Sequence, residues 1–207
     1  FDRNEIKKYR QKVQEEVERI LNINFQTKLD YDKDQIIVPP HADLSYSDHD
    51  NLELNKKNVL AFKKLFTILN NESFSKKKIQ GKVRIGVISE FFTDHTIGKL
   101  YKDIIFSLNR NKFETFIFHS QKTNPGEIFN EFKKKEEEGI LKNELLPIKL
   151  LEKINVIKNF ELDIIFYPDI GLSIEFYYLA LVRLARYQIT TFGHPETTGS
   201  NSIDYYL

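Results

Sequence analysis

The sequence predicts an α/β fold, a parallel sheet flanked by helices, preceded by a helical N-terminal region. Two observations carry this. Beyond residue 82 short apolar runs alternate with helical stretches, the pattern of successive βαβ units. Those runs are almost unbroken in apolar residues, as expected of strands covered by helices on both faces.

Taken in order, a first amphipathic helix is expected over 4–21, with Tyr9, Val13, Val17, Ile20 and Leu21 at helical spacing. Residues 22–47 read as polar loop, broken by Pro39-Pro40, with a short strand at 35–38. A second amphipathic helix over 54–70 buries Val59, Phe62, Leu65, Phe66 and Leu69. Residues 73–81, with Lys76-Lys77-Lys78, read as a solvated linker. These features set the expected division: a helical region 1–80 and a sheet domain 81–207. In the latter, strands are expected at 83–89, 114–119, 145–148, 163–167, 187–192 and 203–207. Helices are expected at 97–108, 125–138, 150–160 and 174–184.

Composition excludes several classes. Thirty-one basic residues against 30 acidic give a net charge of +1, no long-range attraction for nucleic acid or anionic lipid. With no cysteine there is no disulfide, thiolate metal site or cysteine nucleophile. No apolar run approaches the ~20 residues of a membrane span. The chain contains no Met and ends on Ile203-Asp204-Tyr205-Tyr206-Leu207, an apolar run that reads as a strand cut short, so a fragment is expected. A cytoplasmic location is the working expectation.

In an open parallel sheet, ligands bind beyond the carboxyl ends of the strands. That rule selects the loops 90–98, 168–171 and 193–200. None carries a dinucleotide or P-loop glycine pattern. The Asp-x-Asp pairs at Asp30/Asp32, Asp32/Asp34 and Asp48/Asp50 lie in polar loops and read as solvated turn residues, so no metal is expected. In the first loop His95, between Asp94 and Thr96, stands between a strand and a helix. A neutral imidazole there can accept a proton or donate a hydrogen bond. The bland reading makes it a helix-entry residue, with Asp94 or Thr96 as the cap. His41, His49 and His119 read as structural or inert. The loop 193–200, with Gly193, His194, Pro195, Thr197, Thr198 and Gly199, offers N–H and O–H donors suited to sugar hydroxyls or a phosphate oxygen. It reads equally well as a capped turn.

Several segments resemble one family. Tyr167-Pro168-Asp169-Ile170-Gly171, Leu184-Ala185-Arg186-Tyr187-Gln188-Ile189-Thr190, Gly193-His194-Pro195-Glu196-Thr197-Thr198-Gly199 and Ile203-Asp204-Tyr205 are similar to the catalytic region of bacterial O-GlcNAc-transferase-like (SPINDLY-type) proteins. Arg84-Ile85-Gly86-Val87-Ile88-Ser89, with Phe91 and His95, resembles the start of that region, and Pro40-His41-Ala42-Asp43-Leu44-Ser45-Tyr46 the segment before it. The resemblance spans about 36–207. It implies a GT-B enzyme with two facing Rossmann-like lobes, of which this chain is the N-lobe and the C-lobe is missing. It implies metal-free, inverting transfer of GlcNAc or another hexose from a UDP-sugar to a protein or peptide side chain, with no further cofactor. It places His95 at the sugar and acceptor site, with Asp94 and Thr96 beside it, and Gly193, His194, Pro195, Thr197, Thr198 and Gly199 in the cleft loop. A helical-repeat region upstream also follows from it.

One departure stands out. The family's second histidine is replaced by Glu161-Leu162-Asp163, leaving its role unfilled or taken by a carboxylate such as Asp163 or Asp169. Two alternatives stay open: a non-catalytic carbohydrate- or peptide-binding α/β module, and a GT-B transferase acting on a glycan or lipid. The fragment alone is expected to be inactive, because the main nucleotide contacts of the family lie in the other lobe.

Overall fold

The computed structural model describes residues 2–33, 37–40, 44–45, 49–72, 74 and 81–207. The lysine run of the expected linker, His41, Asp34, Asp48 and the first half of the expected strand 35–38 lie outside them, and residues 37–38 form no strand.

Helix α1 (Arg3–Asn22) opens with a capping box. Asp2 accepts the N–H groups of Asn4 and Glu5, and Glu5 accepts that of Asp2. It packs on α2 (Leu52–Leu65), where Glu18 pairs with Lys57 and the Lys64 ammonium donates to the Leu21 carbonyl at 2.6 Å. The single helix expected over 54–70 is two: α2 stops at Leu65 and a 3₁₀ turn follows over Thr67–Asn70. Phe66, in extended conformation between them, points its ring into the core.

The sheet contains β1 (Val83–Ile88), β2 (Phe113–Ser120), β3 (Lys142–Leu146), β4 (Ile164–Tyr167), β5 (Tyr187–Thr190) and β6 (Tyr205–Tyr206). All pairs are parallel and the order is β3-β2-β1-β4-β5-β6. Between them run α3 (Thr96–Phe106), α4 (Glu127–Glu137), α5 (Leu150–Asn159) and α6 (Ile174–Ala180). This is the expected fold class, a Rossmann-like α/β sheet with an N-terminal helix. The strand 145–148 begins earlier, at Lys142, and α6 ends at Ala180 rather than 184. The connection 191–204 between β5 and β6 holds no helix.

Residues alternating along each strand feed two cores, as pleating dictates. Ile85, Val87 and Ile117 pack with Ile97, Tyr101, Ile105, Ile128 and Phe132 beneath α3 and α4. Phe116, Phe118, Ile165 and Tyr167 face the other way. There they meet α5 and α6 together with Val59, Phe62 and Phe66, so the helices ahead of the sheet share its core. Tyr31 joins them, edge-on to Phe66 and Tyr178.

Two helices take their N-terminal cap from a distant loop. Lys149, at the N-cap of α5, makes no side-chain cap bond; Asp32 instead accepts the N–H groups of Leu150 (2.7 Å) and Leu151 (3.3 Å). Asp32 is thus a helix cap and not a solvated turn residue. Replacing Asp32 by Ala should lower stability by about 1 kcal/mol in urea denaturation, with faster amide exchange in the first turn of α5. An unchanged midpoint would show the cap to be idle.

Candidate functional site

The strand order reverses between β1 and β4, so the crevice beyond their carboxyl ends is where an open α/β sheet gathers a ligand. Ser89 directly follows β1 and Asp169 lies just beyond β4. Both are buried, and the Ser89 hydroxyl donates to Asp169 Oδ2 at 2.9 Å while accepting the Phe91 N–H at 2.9 Å. Burial, helped by the charge of Glu90 and opposed by the Ser89 bond, pushes the Asp169 carboxyl up to about 7.

Phe91, fixed by that bond, lies against the His95 imidazole with ring centroids 4.7 Å apart. His95 is itself the N-cap of α3: its Nδ1 accepts the Ile97 N–H at 3.2 Å. The expected cap, Asp94 or Thr96, is therefore corrected. Asp94 caps another helix, accepting the N–H groups of Glu127 (3.3 Å) and Ile128 (3.0 Å) at the start of α4, where Gly126 has no side chain to do so. With Nδ1 accepting, the proton of neutral His95 sits on Nε2, which makes that nitrogen a donor. Asp94, His95 and Thr96 are all exposed.

The third loop joins this rim. At Gly193 an added Cβ would lie 2.1 Å from the Pro168 carbonyl oxygen and 2.8 Å from Ile97 Cδ1. Gly193 therefore sits on the β4 loop and on the first turn of α3, along the same sheet edge as His95. His194 is buried, which holds its imidazole below the usual histidine range, and its Nδ1 meets the Glu196 N–H at 3.4 Å. Pro195 is exposed. Thr197, Thr198 and Gly199 turn the other way. With Lys56, Tyr205 and Tyr206 they line a groove of about 470 Å³ between α2 and β6. The structure thus brings Asp94, His95, Asp169 and Gly193 to one rim and gives the threonines a neighbouring face.

Asp163 lies at the amino end of β4, where its Oδ2 accepts the Arg84 N–H at 2.9 Å; it is on the far edge of the sheet and cannot fill the missing histidine's role at the rim. His119, buried among Phe92, Phe129 and Phe132 and bonded to Asn143, is structural as expected, and burial lowers its pKa.

Sequence reading missed Ser89, Glu196, Asn51 and Asn55 as parts of the site. A signal was present for the asparagines: they sit at i and i+4 next to Leu54, Val59 and Phe62, on the side of α2 that packs inward.

No protein-family model and no curated protein matches the chain. Among solved structures, a mutant of the Thermobaculum terrenum O-GlcNAc transferase matches over 80% of this chain with a TM-score of 0.62 at 15% sequence identity. The two share a fold. The chain spans about a third of that transferase, 32% of its length. No helix among the described residues is long and apolar enough to cross a membrane.

Two measurements check this geometry. Gly193→Ala should destabilise by about 1–3 kcal/mol, because the new methyl meets a backbone oxygen that cannot swing aside. Asp169, with a folded-state pKa near 7 against 3.8 unfolded, keeps a proton between those values that the unfolded chain has lost. Its contribution is complete below pH 3.8 and disappears as pH rises through 7, by up to about 4 kcal/mol. Asp169→Asn should flatten that decline in urea midpoints taken at pH 4.5 and 7.5; an undiminished slope would place the titrating group elsewhere.

Proposed function

We propose that the chain forms the acceptor-side lobe of an inverting glycosyltransferase, which moves GlcNAc or another hexose from a UDP-sugar to a protein side chain. The observation that supports it best is the meeting of His95, the Ser89–Asp169 pair and the Gly193 loop at the crevice of the 3-2-1-4-5-6 sheet. The fold shared with an O-GlcNAc transferase adds to it, as do the motifs of the cleft loop. The donor, the acceptor and a cytoplasmic setting belong to this reading of the whole enzyme, of which a second lobe would bind uridine and diphosphate.

Inversion is a single in-line displacement. The acceptor atom attacks the anomeric carbon, whose bond to the diphosphate oxygen breaks with the electron pair leaving on the diphosphate, and the acceptor's proton passes to that departing diphosphate. A lobe contributes by holding the acceptor and by donating hydrogen bonds where charge develops. The exposed Nε2–H of His95 suits the second task, since Nδ1 already accepts from Ile97. As folded, His95 is a donor to the sugar or leaving group and not the base. Asp169, 5% exposed and bonded to Ser89, supports the rim from beneath.

In the full-length protein His95→Ala should reduce transfer from a UDP-sugar by about 10²–10³-fold, far beyond the roughly 1 kcal/mol of stability that losing the α3 cap costs. Transfer at the wild-type rate would remove His95 from the mechanism. Hydrolysis and transfer both absent from the wild type would favour a binding module, and turnover with no modified protein in mass spectrometry a glycan or lipid acceptor.

A further inference from the structure

The cleft loop is held by side chains that come from outside the sheet. Glu196, in its middle, is 8% exposed, and its two carboxylate oxygens face α2. Oε1 accepts from Asn55 Nδ2 at 2.8 Å and Oε2 from Asn51 Nδ2 at 3.2 Å. Asn55 Nδ2 also reaches the Thr197 carbonyl at 2.9 Å, so one amide grips side chain and backbone of adjacent loop residues. Asn51 and Asn55 are 5% and 1% exposed; neither bond is shared with bulk water.

The contact is close at the backbone too. Gly199 has a φ of +62°, and a Cβ there would lie 2.4 Å from the carbonyl carbon of Asn55 and 2.5 Å from the Lys56 nitrogen. Asn51 in turn is fixed from behind: its Oδ1 accepts from the Arg10 guanidinium of α1, and its Nδ2 also donates to the Leu44 carbonyl at 3.0 Å. Arg10 is anchored on the Asp50 carbonyl at 2.8 Å. At its far end the loop is moored again, by Lys63 of α2 on Asn201 (3.2 Å) and Ser202 (3.3 Å).

We propose that Glu196 is the positioning residue of the cleft loop, with Asn51 at the N-cap of α2 and Asn55 in its first turn as its partners, so that the helices before the sheet set where Gly193, Thr197 and Thr198 present their donors. This deepens the transferase reading and rests on it for the meaning of the loop, but the contact can be read without any sugar. Glu196 lies between the residues that face the rim and those that line the groove. A shift of its carboxylate therefore moves both.

The chemistry supplies a discriminating pair of substitutions. Glu196→Gln replaces an acceptor oxygen by an NH₂ group, which sets donor against donor at one of the two asparagines. Asn51→Asp alone sets two carboxylates face to face. Together they restore a donor–acceptor pair with its polarity reversed, and Arg10 remains to meet the new charge.

In the 207-residue chain each single variant should lower the melting temperature by about 4–8 °C. Each should also displace the backbone amide resonances of Gly193, Thr197 and Gly199 while those of β1 stay in place. The double variant should lose clearly less than the sum of the two and return the loop resonances toward wild type. Additive losses, or loop amides untouched by Glu196→Gln, would overturn the proposal. Asn51→Asp also gives up the bond to the Leu44 carbonyl, so it is the reference if Glu196→Gln fails to fold: a double variant more stable than Asn51→Asp alone supports the pairing, and one no more stable refutes it. Absence of sugar transfer by the full-length protein would instead count against the transferase reading and leave these outcomes as they stand.

Discussion

The backbone at Gly193 runs against the Pro168 carbonyl and Ile97 more closely than any side chain would permit. That approach lets the loop after β5 close on the loop after β4 and on the first turn of α3, three segments far apart in sequence. Rim geometry follows from it. Ile97 is both the residue Gly193 rests on and the donor of the N–H that orients His95, so the glycine and the imidazole are fixed by one turn of helix. On the other side of Ile97 the apolar core takes over, since its side chain is 3% exposed among Tyr101, Ile117 and Ile128.

Beneath the rim the polar groups are paired through backbone as much as through each other. Ser89 stands between a buried carboxyl and the Phe91 amide, transmitting the position of Asp169 to the residue that stacks on His95. A comparable arrangement lies farther along the same sheet edge. Lys153, 1% exposed, reaches Glu175 at 3.1 Å and the Ile148 carbonyl; Glu175 also pairs with Lys122 at 3.1 Å. A buried ion pair of this kind adds little net stability over an apolar pair, but removing one partner strands the other.

The sheet was legible because its strands are short apolar runs between amphipathic helices, and the parallel order follows from those connections. Boundaries were less so. Phe66 continues the apolar spacing of α2, yet the chain turns there to bury its ring, and a pattern of apolar residues does not record that change of direction. The rim loops were legible from the rule that ligands gather at carboxyl strand ends, and His95 and Gly193 do lie together. Their roles were not: which side chain caps which helix depends on contacts between loops, and Asp94 caps α4 rather than its neighbour α3. Asn51, Asn55 and Glu196 escaped for the same reason. Each is an ordinary polar residue whose importance comes from a partner about 140 positions away.

The carboxylate of Asp94 occupies the space that a side chain at position 126 would need: a Cβ on Gly126 would lie 2.4 Å from it. The two positions are physically coupled: a side chain at 126 would displace the Asp94 carboxylate, and losing that carboxylate would leave the first N–H groups of α4 without their acceptor. Since residue 94 adjoins the imidazole, the composition of a helix entry some thirty residues downstream constrains which variants the rim can explore.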